Sequence, residues 1–326
     1  RCHPSIASLD EPPELVVVVT PAATVPGILD EAGKAGTKSA LVLTSGFSEA
    51  GEAGKALLRQ AMEIAHKHRM RLIGPNCLGL MRPAIGLNAT FARGFARPGK
   101  LGLISQSGAI CTAILDWAQG AEIGFSSVIS LGSAADVDFG ELLDYLAADP
   151  ETEAILMYIE GIREARRFLS ALRAAARSKP VIALKVGRFA AGTKAVSSHT
   201  AALVGSDAVF DTALTRSGTV RVKTYTQLFA AARVLANPRR VRGERLAIIT
   251  NGGGPGVMAA DSAAENEVRL ATLSPATLAA LDQVLPAQWS HGNPADILGD
   301  APAARFGAAV EQVLAEDRKS TRLNSS

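Results

Sequence analysis

Aromatic side chains make up only 5% of the 326 residues, so any core must be built chiefly from Ala, Val, Leu and Ile. Cysteine is scarcer still. Cys2, Cys77 and Cys111 are odd in number and far apart, which excludes a disulfide framework and offers no CxxC metal pair. That usage fits a reducing cytosol. No apolar run approaches the roughly 20 residues needed to span a bilayer; the longest β-like run, residues 15–19, is closed by Glu14 and Thr20. No signal peptide is visible, although the chain opens on Arg1 rather than Met, which is compatible with a lost leader. The net charge is only +3 and no basic stripe carries interleaved aromatics, which argues against nucleic acid as the main partner. Neither a GxGxxG fingerprint nor a GxxxxGK[ST] loop occurs.

What is present is a regular alternation. With 48% hydrophobic and 20% charged residues, the chain can fill two or three domains. Residues 15–19 form a continuous β-branched run, the pattern of a strand covered on both faces. A helix over 25–35 closes at Gly36, a strand follows at 39–44, a helix at 53–68 and a strand at 71–73 before Gly74-Pro75-Asn76-Cys77. This describes most of a nucleotide-binding-type half sheet. A glycine turn should open such a unit, so the first strand is expected to precede Arg1. His66 and His68 are two apart on a helix and so point to different faces, as at a solvated helix end.

Residues 80–99 read as a connector punctuated by Pro and Gly. Strands at 101–105, 126–130, 154–159, from Val181 and at 219–222 then alternate with helices at 109–119, 137–148, 164–178 and 207–216. That is the pattern of a flavodoxin-like doubly wound sheet. After a polar linker, a strand at 245–250, a glycine loop and a helix at 257–264 open a third α/β domain. The last ten residues, DRKSTRLNSS, lack periodicity and resemble translated sequencing-adapter DNA; they are set aside.

Three candidate features fall at C-terminal strand ends of the middle domain. His199, between Ser198 and Thr200, lies on a long loop leaving the Val181 strand past Gly187, where open α/β sheets bind ligands. A satisfied surface histidine is the plain alternative. Ser105-Gln106-Ser107-Gly108 is a strand–turn–helix junction whose free N–H groups suit an anion, or simply a capped helix. Glu160, before Gly161, is either a solvated acid or a partner that holds His199. Asn251-Gly252-Gly253-Gly254-Pro255-Gly256 repeats the turn in the third domain, with packing as its alternative purpose. Two helix N-termini converging on one histidine would serve a transient phosphohistidine.

The ordered motifs SGFSEAGEAG, IGPNCLGL, PGKLGLISQSGA, KPVIALKVGR, SSHTAALVG, ITNGGGPGVMAAD and NPADILGD resemble those of the NDP-forming acyl-CoA synthetases. That is the group of ADP-forming acetyl-CoA synthetase, more distantly related to succinyl-CoA ligase. The resemblance spans residues 5–316. It implies an α/β fold: a Rossmann-like CoA-binding domain over 1–97, a flavodoxin-like domain with the phosphohistidine loop over 98–236, and a second flavodoxin-like ligase domain over 243–316, with 317–326 outside.

It further implies that Thr20, Pro21, Ala22, Ser45, Gly46, Phe47, Pro75, Asn76 and Cys77 border the CoA site. Ser105, Gln106, Ser107 and Gly108 would bind phosphate at the first helix start, and Asn251, Gly252, Gly253 and Gly254 at the second. His199 would be the phosphorylated residue, with Glu160 beside it. The implied enzyme is an acid–thiol ligase in which phosphate cleaves an acyl-CoA, His199 takes the phosphoryl group, and an ATP-grasp module passes it to ADP. CoA is then a substrate, no metal is held by this chain, and Mg2+ and ADP or ATP enter only through the ATP-grasp domain or subunit. The expected protein is a cytoplasmic oligomer that binds neither nucleic acid nor membrane, and is inactive without the ATP-grasp partner. Ala201 and Gly132-Ser133 depart from the family pattern, which usually has Gly and Gly-Asn there. The competing reading is a CoA-binding regulatory region of a protein lysine acetyltransferase fusion.

Overall fold

In the computed structural model the alternation becomes two units, residues 1–239 and 240–326. The residues described are 2–189, 192, 206–237 and 243–322. The first unit opens with β1 (Leu15–Val18), α1 (Val25–Ala35), β2 (Ser39–Val42), α2 (Gly51–Lys67) and β3 (Arg71–Ile73). The three strands are parallel in the order β1-β2-β3. Helix α1 buries Val25, Leu29 and Ala32, one stripe at helical spacing. Gly36 ends it in the left-handed region that favours glycine, at φ 101°. One expectation is corrected here. Among the described residues β1 pairs with β2 alone, and Val17 and Val19 stand 41% and 70% exposed whereas Val18 is buried. The β-branched run is therefore covered on one face among these residues, its composition marking strand propensity.

The second sheet contains β4 (Gly79–Arg82), β5 (Leu87–Thr90), β6 (Pro98–Ser105), β7 (Phe125–Ser130), β8 (Ala154–Ile159), β9 (Val181–Lys185) and β10 (Val220–Val222). Their order is β10-β9-β8-β6-β7-β4-β5. The five expected parallel strands are joined by an antiparallel hairpin, β4–β5, drawn from the supposed connector. Glycine and proline suggested a loop there. Gly79, at φ +117°, instead lets the backbone cross Ala89, whose carbonyl oxygen would lie 2.0 Å from a Cβ.

Helices α3 (Gly108–Gly120), α4 (Phe139–Ala148), α5 (Ala165–Ser178), α6 (Asp207–Ser217) and α7 (Tyr225–Ala236) cover the two faces. Leu103, Leu156 and Leu184 face the α3–α7 layer, with Cys111, Ile114 and Leu228. Ile104, Met157 and Ala183 face the α4–α6 layer, with Leu143, Leu172 and Leu214. Alternation along each strand makes both layers. Helix α7 is missing from the sequence reading, although Thr224-x-x-Gln227 marks its start. Thr224 Oγ1 accepts from Gln227 N at 3.2 Å, and Phe229 of α7 stacks on Trp117 of α3 at 4.2 Å.

The second unit contains β11 (Arg245–Leu246), β12 (Ile249–Thr250), α8 (Gly253–Glu265), β13 (Arg269–Leu270), α9 (Pro275–Val284), β14 (Ala295–Asp296) and α10 (Ala303–Arg322). The strand expected over 245–250 is two short strands, pairing in parallel with β13 and β14. Leu281, Trp289, Ile297 and Ala309 form its core. Helix α10 runs into the segment set aside at 317.

Candidate active site

The turn after β6 is held by its first hydroxyl. Ser105, fully buried, accepts from Ser107 N at 3.1 Å and donates to the Ser107 carbonyl at 2.9 Å. Ser107 Oγ then caps α3 by accepting from Ile110 N at 3.3 Å. The chain thus turns sharply into a helix at the junction expected to hold an anion. Gly108 stands against Leu78; a Cβ there would lie 3.3 Å from the Leu78 Cβ.

Gln106 has a different task. Its Oε1 accepts from Glu160 N at 2.6 Å and Gly161 N at 3.0 Å, and its Nε2 donates to the Gly161 carbonyl at 2.9 Å. The side chain of Gln106, a residue of the expected phosphate-binding turn, ties the end of β6 to the segment after β8. Glu160 itself is 6% exposed, and Val186 N bonds to Ile159 O at 3.0 Å. The loop leaving β9 therefore begins beside Glu160. His199 lies outside the described residues. Burial raises the proton affinities of the neighbouring Tyr158 hydroxyl and of Cys111 in α3, the latter to about 12.

The residues expected to border CoA gather at the C-terminal edge of β1, β2 and β3. Thr44 Oγ1 donates to Thr20 O at 2.7 Å, and Asn76 N donates to Thr44 O at 2.9 Å, so the three loops are laced together. Gly46, at φ +103°, brings the second loop against Ala22, whose Cβ would be 3.1 Å from an added Cβ. Three members of the set are buried: Pro75, Phe47 and Cys77. Phe47 is fully buried among the packed side chains of the first sheet. Cys77 donates to Val42 O at 3.4 Å, and burial raises its thiol to about 12. These residues shape their loops, leaving Thr20, Pro21, Ser45 and Asn76 nearer the surface.

Three residues without an assigned site role, Ser130, Gly132 and Ser133, hold the loop after β3 against the end of β7. Gly132, after β7, sits against Pro75 O and Asn76 O, each 2.3 Å from where a Cβ would be. Ser133 N bonds to Pro75 O at 2.9 Å, and Leu78 N bonds to Ser130 Oγ at 3.0 Å. The Pro75–Cys77 loop and the turn at Gly108 are consequently neighbours through Leu78.

In the second unit the turn is built as in the first. Thr250 Oγ1 accepts from Gly252 N at 3.2 Å and donates to the Gly252 carbonyl at 2.9 Å. Gly252 then starts α8 with no side-chain cap, while Gly253 and Gly254 are exposed. Asp296 Oδ2 would be 3.3 Å from a Cβ on Gly253. Asp296 belongs to the NPADILGD motif and to none of the expected sites. Among the described residues no cluster of His, Cys, Asp and Glu could hold a metal ion, and no helix is long and apolar enough to cross a membrane.

Fold and site together define a CoA-ligase-type α/β protein. The CoA binding domain matches residues 1–83, the succinyl-CoA ligase like flavodoxin domain 98–235, and the Ligase-CoA domain 246–323. The chain is 41% identical to an ADP-forming acetate–CoA ligase of Archaeoglobus fulgidus over 97% of its own length and 46% of that relative's. It is 39% identical to the alpha subunit of the Pyrococcus furiosus ADP-forming acetate–CoA ligase I, covering 97% of this chain and 68% of that subunit. Its structure matches acetyl-coenzyme A synthetase 1 of Ca. Korarchaeum cryptofilum, solved with phosphate and ADP, at TM-score 0.91 and 34% identity, over 96% and 67% of the two chains. The chain belongs to the family of ADP-forming acyl-CoA synthetases. It spans about half the length of the Archaeoglobus relative and matches the Pyrococcus alpha subunit more fully.

Proposed function

We propose that this chain is the CoA- and phosphohistidine-bearing portion of an ADP-forming acyl-CoA synthetase. The observation that carries this reading is the contact of Gly108 with Leu78. It brings the helix start that we assign to phosphate beside the loop that we assign to CoA, which supports a meeting of phosphate and thioester there. Phosphate attacks the acyl carbon, CoA leaves as the thiol, and an acyl phosphate forms. An imidazole nitrogen of His199 then attacks phosphorus, and the carboxylate leaves. Glu160 holds the imidazole, and the start of α3 stabilises the phosphate charge. The α8 start is the second phosphate seat. ADP and Mg2+ are supplied by an ATP-grasp domain or subunit, which receives the phosphoryl group. The reported relatives carry ligase and synthetase names, which favours this reading over an acetyltransferase fusion. A cytoplasmic oligomer is the assembly we expect.

The test is ATP formation from acetyl-CoA, phosphate and ADP, with and without the ATP-grasp subunit of a two-subunit relative. Turnover is expected only when that subunit is added. Robust synthesis by this chain alone contradicts the proposed division of labour.

A further inference from the structure

Lys185, the last residue of β9, is 2% exposed and forms no ion pair among the described residues. Its ammonium donates to Val186 O and lies 5.4 Å from the Phe210 ring centroid. Two carboxylates act on it: Asp207, which is taken by Arg221 at 2.5 Å while Arg221 also bonds Asp211 at 2.8 Å, and the buried Glu160. A lysine buried this way keeps its charge at a cost, and burial lowers its proton affinity. The side chain lines a cavity of about 190 Å³ between the starts of α5 and α6. Neither helix has a side-chain cap, at Glu164 or at Ser206, so first-turn N–H groups remain without one. The remaining walls are apolar and include Phe168, Leu169, Val209 and Phe210.

Val181 and Ala183 pack in the α4–α6 layer, whereas Ile182 and Leu184 pack in the α3–α7 layer. By that alternation Lys185 belongs with α5 and α6, across the sheet from the helix start at Gly108. The cavity is therefore separate from the turn assigned to phosphate. It is also smaller than the ~300–1,000 Å³ typical of sites for larger ligands.

We propose that this cavity binds a small aliphatic carboxylic acid, its carboxylate on the Lys185 ammonium and its hydrocarbon among Phe168, Leu169, Val209 and Phe210. Because the cavity lies across the sheet from the turn assigned to phosphate, the acid bound there is an effector and not the reacting molecule. As a binding site it stands independently of the phosphohistidine chemistry.

The experiment is calorimetric titration of the full chain with 2-methylpropanoate, with 2-methylpropanamide as the uncharged control. Saturable one-to-one binding of the acid is expected, with the amide about tenfold weaker or more. Lys185→Met should weaken the acid by a similar factor. Ala213→Phe, which keeps the lysine and fills the cavity, should abolish binding, and it carries the test if Lys185→Met fails to fold. No saturable binding, equal affinity for acid and amide, or unchanged affinity in folded Ala213→Phe overturns the proposal. Phosphorylation of the chain by acyl phosphates of increasing length should follow the same order in Ala213→Phe as in the parent, and a shift toward shorter acyl groups in the variant overturns the placement of the cavity away from the reacting acid. Failure of phosphorylation with binding intact counts against the reaction and leaves the site standing.

Discussion

Gln106 and Gly161 are joined twice, the Gln106 amide accepting from Gly161 N at 3.0 Å and donating to Gly161 O at 2.9 Å. With the third bond from Glu160 N, at 2.6 Å, one side chain fixes the backbone that carries the proposed partner of His199. Gln106→Leu removes these bonds and leaves buried N–H groups unmatched, a cost of about 2 kcal/mol. Urea unfolding should show that loss. Phosphorylation by acyl phosphate should fall further than the lost stability explains, because Glu160 is released from its position. An unchanged labelling rate in folded variant would assign Gln106 a purely structural role.

Gly132 gives a second expectation. At φ +54°, with two carbonyl oxygens 2.3 Å from a Cβ position, it accepts no side chain without moving the Pro75–Cys77 loop. Gly132→Ala should destabilise the first unit by about 2 kcal/mol or more, read as a lower urea midpoint. Gly36→Ala also introduces a residue at positive φ, but no neighbour lies within 4 Å of its Cβ, so its loss should be smaller. Equal losses would remove the close approach as the cause.

The strand–helix alternation was legible where a strand is a continuous apolar run, as at residues 154–159, and where a turn residue closes a helix, as Gly36 closes residues 25–35. The β4–β5 hairpin was not legible, since Gly79 serves a backbone crossing that resembles a loop signal. At the candidate site, Ser105 and Ser107 could be read as a strand-to-helix turn. That Gln106 turns away to Glu160 and Gly161 could not be read, because the contact joins residues more than fifty apart. Inward-facing Phe47 and Cys77 show the same limit: a motif fixes neighbours along the chain but not which side chains face the ligand.

Asp149 supplies a pH-dependent expectation. Hydrogen bonds from Arg82 hold its carboxyl at about 2, below the usual 3.8. The folded state therefore binds this proton less readily than the unfolded chain. Its stabilisation is fully present above about pH 4 and is lost as pH falls through about 2. Asp149→Asn should cost about 2 kcal/mol at pH 7, and the difference from the parent chain should shrink on acidification below pH 4. Chemical unfolding across that interval measures it. A difference that grows toward pH 2 would show that the Arg82 pairing is not the source.

Thiol labelling checks the burial of the two cysteines near the candidate site. Cys77 and Cys111 are buried, with thiols raised to about 12, while Cys2 is exposed. At pH 8 iodoacetamide should modify Cys2 alone in the folded chain, and all three cysteines in denaturant. Rapid modification of Cys77 in the folded state would place its thiol at the ligand edge instead.

The central claim is tested by the fate of a phosphoryl group. The chain should be incubated with ³²P-labelled acetyl phosphate, and the labelled protein exposed separately to acid and to base. A single phosphoryl group is expected, lost in acid and stable in base, located at His199 by peptide analysis and absent from His199→Asn. Full labelling of His199→Asn, or a label that survives acid, would contradict the assignment of this chain as a phosphohistidine carrier.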